Sequence, residues 1–344
     1  MSPRTGVRTG LVLLALAAVA TVLAGFARFA WLADLAVNFR LHFALAALAA
    51  AALLAIGRSW RGVASAGLVL LVNAWYIAVS IEAPQQSVRV WGGQTAHASS
   101  SAPNTNSRPP LAVRIAAANV FHSNHEFTRL FDWLRAEQPD VISIEEVSAA
   151  WLTQLVALEA DYPYRKASPF NGRFQTVMLS RWPIDVESVP RLATANSRNV
   201  EAVVRVRGTP IRVIAVHATW PLTPAHAVRR NREYAGFASG ARTVREPLVL
   251  IGDFNSSALS PHFQSTLLAD AGLRSAAAGY GWQPTWPVGV LPLGIQIDHA
   301  LVSPQLEVVA FRRGPEVGSD HRPIVVDLEL LDGPAVAVAA HAGR

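Results

Sequence analysis

Five short segments of this 344-residue chain gather acids, amides and histidines at the ends of apolar runs: Ile144-Glu145-Glu146-Val147, Val216-His217-Ala218-Thr219-Trp220-Pro221, Gly252-Asp253-Phe254-Asn255, Gln296-Ile297-Asp298-His299 and Gly318-Ser319-Asp320-His321-Arg322-Pro323. Carboxylate and amide oxygens suit a hard divalent cation such as Mg²⁺, which keeps several waters and so needs only one or two carboxylates. A histidine with a pKa near ~6.5 can pass protons at neutral pH, and a carboxylate on its other nitrogen fixes the tautomer. Together they suit hydrolysis of a phosphate ester or pyrophosphate. There a cation shields the non-bridging oxygen, a base activates water and the leaving group needs help. Asp298 and His321 can form the carboxylate–imidazole pair. Asp253 and Asn255, two apart after a buried strand, face the same side in extended geometry. The chain has no cysteine, which excludes disulfides, thiolate nucleophiles and Cys-ligated zinc.

The elements that must carry these residues read as short strands and a few helices. Leu111–Val120 alternates as a strand does, and Asp140–Ile144, Thr176–Leu179, Val200–Val206, Ile211–Val216, Leu248–Ile251, Ile297–Val302 and Ile324–Leu330 are further strand-like runs. Glu126–Glu137 predicts a helix with Phe127, Leu130, Phe131 and Leu134 on one face. Pro224–Ala238 and His262–Ala271 predict two more. Hairpins mixed with helices imply two packed sheets with helices outside and polar residues gathered where strands end.

Taken in order, the motifs resemble those of the endonuclease/exonuclease/phosphatase superfamily, the deoxyribonuclease I-like enzymes, over residues 111–331. The resemblance implies an α/β fold, a four-layered α-β-β-α sandwich with its site at one edge of two sheets. It also implies a divalent metal, Mg²⁺ or alternatively Mn²⁺, and a phosphorylated substrate. By the same resemblance Glu146, Asp320 and Asn119 would lie at the metal, Asn119 standing in Ala118-Asn119-Val120. The family usually has glutamine where this chain has Glu145, and Glu146 is the preferred ligand. His217 would bond the scissile phosphate or aid the leaving group. Asp253 and Asn255 would position water and phosphate, and Asp298 would orient His321, the base or transition-state stabiliser. Arg173 is a candidate phosphate contact, and Trp286, with Trp282, a candidate rim for a lipid or a stacked base. His122 and His125 follow Asn119 and could line the mouth of the site, but read first as surface loop residues; His262 and His299 read as structural, and Arg229-Arg230-Asn231-Arg232 as a solvated helix face.

Before residue 83 the sequence changes character. Three apolar stretches, 11–31, 41–57 and 63–82, predict transmembrane helices. Arg40 and His42 are expected to snorkel to an interface. Arg4, Arg8, Arg58 and Arg61 mark the cytoplasmic side by the positive-inside rule, so three spans put the following domain outside; a re-entrant second segment would reverse this. Residues 84–110, rich in Pro, Ser, Gln, Asn and Thr, predict a flexible linker, and 332–344 a disordered tail. Eight arginines face two acids before residue 111, whereas the later part balances 22 basic against 22 acidic residues. A neutral catalytic part disfavours bulk nucleic acid as partner. Spans plus linker resemble a bacterial group that includes teicoplanin-resistance membrane proteins, which implies a multi-pass protein of the cell membrane acting on a lipid-linked phosphate such as a polyprenyl pyrophosphate. The alternatives are an anchored extracytoplasmic nuclease and a non-catalytic membrane binding module.

Overall fold

The computed structural model describes residues 3–81, 111–185, 198–290 and 293–331. The expected linker and tail lie outside them. The N-terminal region folds as four helices, α1 (Pro3–Gly25), α2 (Trp31–Val37), α3 (Arg40–Ile56) and α4 (Trp60–Ile81). Two of them, over Arg4–Gly25 and Trp60–Ser80, are each long and apolar enough to cross a membrane. Trp31–Val37 and Arg40–Ile56, bent by 66°, make a third if counted as one span. The first apolar helix therefore ends at Gly25, short of the Trp31 expected, because the polar residues Asp34 and Asn38 belong to a separate short helix.

Small residues let these helices close up. A Cβ on Gly57 would fall 2.1 Å from Val7 Cγ2, and one on Gly10 2.9 Å from Leu54 Cγ, so α3 runs antiparallel to α1 and ends beside its start. Arg40 does not snorkel outward. It is buried, donates to Asn73 Oδ1 at 3.2 Å and lies 3.7 Å over the Tyr76 ring. An internal partner replaces water for a charge among apolar helices.

The remainder is a sandwich. Its strands are β1 (Ala112–Asn119), β2 (Val141–Val147), β3 (Tyr164–Ala167), β4 (Gln175–Ser180), β5 (Ile184–Asp185), β6 (Val200–Val206), β7 (Thr209–His217), β8 (Leu248–Asp253), β9 (Arg274–Ser275), β10 (Asp298–Val302), β11 (Leu306–Arg313) and β12 (Ile324–Leu330). One sheet has the order β11-β12-β1-β2-β4-β3 and the other β5-β6-β7-β8-β10-β9. Val113, Ile115, Val141, Val204, Val213, Val249, Ile251, Val302, Val326 and Leu328 fill the space between them. Each such aliphatic side chain contributes about 1.5–3 kcal/mol on full burial.

The outer face of the first sheet packs on α5 (Phe127–Glu137) and α6 (Ala149–Gln154) through Leu130, Phe131, Leu134 and Trp151. The outer face of the second packs on α7 (Pro224–Ala241) and on Phe263–Asp270, through Tyr234, Phe237, Phe263 and Leu267. Phe263–Asp270, expected as an α-helix, is wound as a π-helix. This is the expected architecture of two mixed sheets flanked by helices, with apolar helices added at the N-terminus.

Candidate active site

Each sheet has one parallel pair at its centre, β1–β2 and β7–β8. Parallel neighbours end at the same edge, so Asn119, Glu146, His217 and Asp253 arrive together. β10 runs antiparallel to β8 with Asp298 directly opposite Asp253. The local backbone is built for this convergence. Gly252 has φ +134, and a Cβ there would sit 2.2 Å from Val216 O. Asn255 takes φ +52, a left-handed conformation that asparagine tolerates better than most residues. Gly318 has φ +84, and a Cβ there would strike Glu126 Cβ at 2.5 Å, so only glycine lets the last motif close over the edge. Ser319 Oγ then donates to Asn119 O at 2.7 Å and ties that motif to β1.

Asp253, Asp298 and His321 form the centre. They are all buried, and one ligand atom from each lies within 4.8 Å of the others. His321 Nδ1 meets Asp298 Oδ2 at 2.9 Å, leaving Nε2 as its other polar atom. Asn119 bridges this centre to Glu146: its Nδ2 reaches Asp253 Oδ2 at 3.2 Å and Glu146 Oε1 at 3.5 Å. Asn255 supports Asp253 with its backbone N–H on Oδ1 at 2.7 Å and its amide on Oδ2 at 3.0 Å.

The electrostatics differ from group to group. Burial and the neighbouring Asp298 push Asp253 up to about 7, against the pull of His321. Burial works against the His321 cation, but Asp298, Asp253 and Asp320 outweigh it and raise the imidazole to about 10. Burial and the nearby Arg198 lower His217 to about 3, so it is neutral at pH 7. Burial raises Glu146, yet His217 and two hydrogen bonds from His122 prevail and leave it below its usual value.

Two of the anticipated residues lie outside the three-residue centre. Asp320 accepts from Trp286 Nε1 at 3.1 Å and sits next to His321, whose charge it helps to hold. Arg173 is exposed, and its guanidinium makes no hydrogen bond or ion pair among the described residues. Conversely, two residues join the site that sequence motifs do not mark. His122 is not a free surface loop residue: its Nδ1 lies 2.8 Å from Glu146 Oε2 and its N–H donates to the same oxygen at 3.2 Å. Arg198 lies over the Phe174 ring at 5.6 Å, close enough to His217, Glu146 and Asp253 to act on each, and forms no ion pair among the described residues. His122 lies three residues past Asn119, the one hint available; nothing in the sequence around Arg198 marks it.

A family model described as the endonuclease/exonuclease/phosphatase family matches residues 116–321. The chain belongs to this family. Members are hydrolases of phosphodiesters and phosphate esters and generally use divalent metals. Solved structures agree on the fold. The endonuclease/exonuclease/phosphatase from Beutenbergia cavernae DSM 12333 is 21% identical, with TM-score 0.52, covering 65% of this chain and 72% of that one. The one from Bacteroides vulgatus is 18% identical with TM-score 0.55, covering 64% and 99%. A family protein from Leptotrichia buccalis C-1013-b is 17% identical with TM-score 0.52, covering 63% and 100%. No curated protein matches the sequence.

The donor set of this endonuclease/exonuclease/phosphatase site fits a hard cation. Asp253, Asp298, Glu146 and Asn119 offer oxygens. The rise of Asp253 comes from burial, with His321 pulling it down and Asp298 pushing it up. Glu145 does not share this site directly. It is fully buried between the sheets, accepts from Ser143 Oγ, and has Oε2 without a partner among the described residues. Burial raises its pKa well above 4.5, which favours the protonated acid.

A raised folded pKa means stability present below the unfolded value and lost as pH rises towards the folded one. Glu145→Gln removes the ionisable proton and keeps the shape. Thermal unfolding of the full-length protein is expected to give the variant a higher Tm than wild type at pH 8 and an equal one at pH 5. Equal values at both pH values would contradict a protonated Glu145.

Proposed function

We propose that the chain is a membrane-anchored, divalent-metal-dependent phosphoesterase that hydrolyses a lipid-linked phosphate ester or pyrophosphate outside the cytoplasm. One observation carries this reading: Asp253 of the buried Asp253–Asp298–His321 centre opens directly into the loop that the apolar helices touch through Asn38 and Tyr76. The cation, when bound, would draw charge from a phosphoryl oxygen. Asp253, Asp298, Glu146 and Asn119 would hold it, while His217 and Arg198 face the phosphate. The His321 imidazolium is suited to donate to a phosphoryl oxygen.

Arg4, Arg8, Arg58 and Arg61 gather at the end of the helices remote from Leu259 of the sandwich, which supports three spans and an outward-facing site. Exposed Trp220 and Leu222, just beyond His217, and exposed Phe121, beside His122, offer an apolar rim for a lipid substrate.

The test is a substrate panel on the full-length protein with Mg²⁺: a polyprenyl pyrophosphate, a phospholipid and plasmid DNA. Hydrolysis of the polyprenyl pyrophosphate is expected. Cleavage of DNA alone, abolished by Asp253→Ala, would favour a nuclease, and wild-type behaviour of Asp253→Ala would leave a binding module. On the preferred substrate Arg198→Ala is expected to raise KM about tenfold or more, the loss of a charge-assisted bond of roughly 1.5–3 kcal/mol. An unchanged KM would remove Arg198 from the site.

A further inference from the structure

The linker suggests a domain tethered loosely to its anchor, yet the anchor touches the sandwich at the loop that leaves the centre of the site. β8 ends at Asp253, and residues 254–262 connect it to the π-helix. The first part of this loop is held from within the sandwich: Tyr234 donates its hydroxyl to Phe254 O at 2.6 Å, and Asn255 Nδ2 donates to Ala218 O at 3.0 Å.

The second part is held from the membrane region. Asn38 Oδ1 accepts both the N–H of Ser257 at 2.8 Å and its hydroxyl at 2.7 Å. Asp34 Oδ1 accepts the Ser260 hydroxyl at 2.6 Å, and Tyr76 donates to Leu259 O at 3.1 Å. Leu259 is buried against Ala24, Ala27 and Val37.

The Asn38 amide leaves no freedom of assignment. Its Nδ2 donates to Asp34 O at 2.9 Å and Leu35 O at 3.1 Å, so Oδ1 must face Ser257. Asp34 and Asn38 are four apart, hence on one face at the end of α2. Asp34 is the only acid before residue 82, and it is buried. Buried polar groups in an apolar segment are costly unless paired; Asn38 Oδ1 and Asp34 Oδ1 are spent on this loop, while Asp34 Oδ2 goes to Arg230.

We infer that α2 and Asn38 are positioning elements of the active site, holding loop 254–260 so that Asn255 stays seated on Asp253. The anchor is thus part of the catalytic apparatus as well as a tether. The inference rests on the reading of Asp253 and Asn255 as site residues, but its structural half can be tested without it.

Hydrogen exchange of the full-length protein in nanodiscs, read by mass spectrometry, compares wild type with Asn38→Ala and with the milder Ser257→Ala. Loss of the two bonds to Ser257 is expected to speed exchange over 254–260 about tenfold, the equivalent of roughly 1.4 kcal/mol. Exchange in β6 is expected to stay the same. On the substrate found by the panel, kcat is expected to fall with the loosened loop while KM changes less than about twofold, since the loop positions a group that acts on the bound phosphate.

Wild-type exchange over 254–260 in both variants overturns the inference, whatever the substrate. A loosened loop with unchanged kcat overturns the positioning role. If wild type turns over nothing in the panel, the phosphoesterase reading fails, and the exchange result still decides whether the anchor holds the loop.

Discussion

His321→Ala in the full-length protein is expected to lower kcat by about 10²–10⁴-fold, the usual worth of a positioned proton-transfer group, with the fold retained. His321 is buried at the centre of the site, its N–H held by Ser319 Oγ at 3.1 Å and its Nδ1 by Asp298. The side chain therefore has one geometry, with Nε2 as its other polar atom. Asp298→Asn tests the electrostatic part of the argument separately. Asp298 is the main group holding the imidazole up to about 10 against burial. Without that charge the pKa is expected to fall by at least about one unit. Titration of the metal-free protein by NMR should thus find the wild-type ring still cationic at pH 8 and the Asp298→Asn ring titrating earlier. A raised folded pKa of a histidine stabilises the fold below its unfolded value and is lost as pH rises through the folded one. Wild type should therefore lose stability towards pH 10 more steeply than Asp298→Asn. Unchanged turnover in His321→Ala would remove the centre from the chemistry, and an unshifted ring in Asp298→Asn would remove the pair from the electrostatics.

How much of this was readable beforehand depended on how each residue is held. Val200–Val206 and Ile324–Leu330 are strands over the very residues expected, because most of their positions are buried and apolar residues dominate each run. Leu306–Arg313 escaped notice because a bulge between Val308 and Ala310 breaks its alternation. Tyr164–Ala167 escaped because most of it is exposed and its sequence is polar. The motif residues Asn119, Glu146, His217 and Asp253 stood out because parallel strands must end in polar turns at one edge, and Asp298 because the antiparallel β10 begins at that edge. His122 and Arg198 did not, since each reaches the site from a loop whose path no periodicity describes. Arg230 was misread for a different reason. Its neighbours in sequence made it part of a solvated face, whereas it is fully buried and its acid, Asp34, lies 196 residues away in the chain.

That pair carries the second large effect expected. Arg230 donates from Nη2 to Asp34 Oδ2, its Nη1 has no partner among the described residues, and both side chains are almost wholly removed from solvent. A buried ion pair gives little net stability over well-packed apolar residues, but breaking it from one side leaves a charge uncompensated. Asp34→Ala is therefore expected to destabilise the full-length protein by about 3–5 kcal/mol, seen as a large fall in Tm in detergent micelles. The double variant Asp34→Ala/Arg230→Met should recover most of that loss, because the stranded cation is gone and the methionine refills the space. The recovery distinguishes a charge effect from a cavity effect: a cavity left by Asp34 would persist in the double variant. Coupling between the two positions below about 0.5 kcal/mol in the double-mutant cycle would mean that they act independently. The contact between anchor and sandwich would then rest on Asn38, Tyr76, Leu259 and the Ser260–Asp34 hydrogen bond.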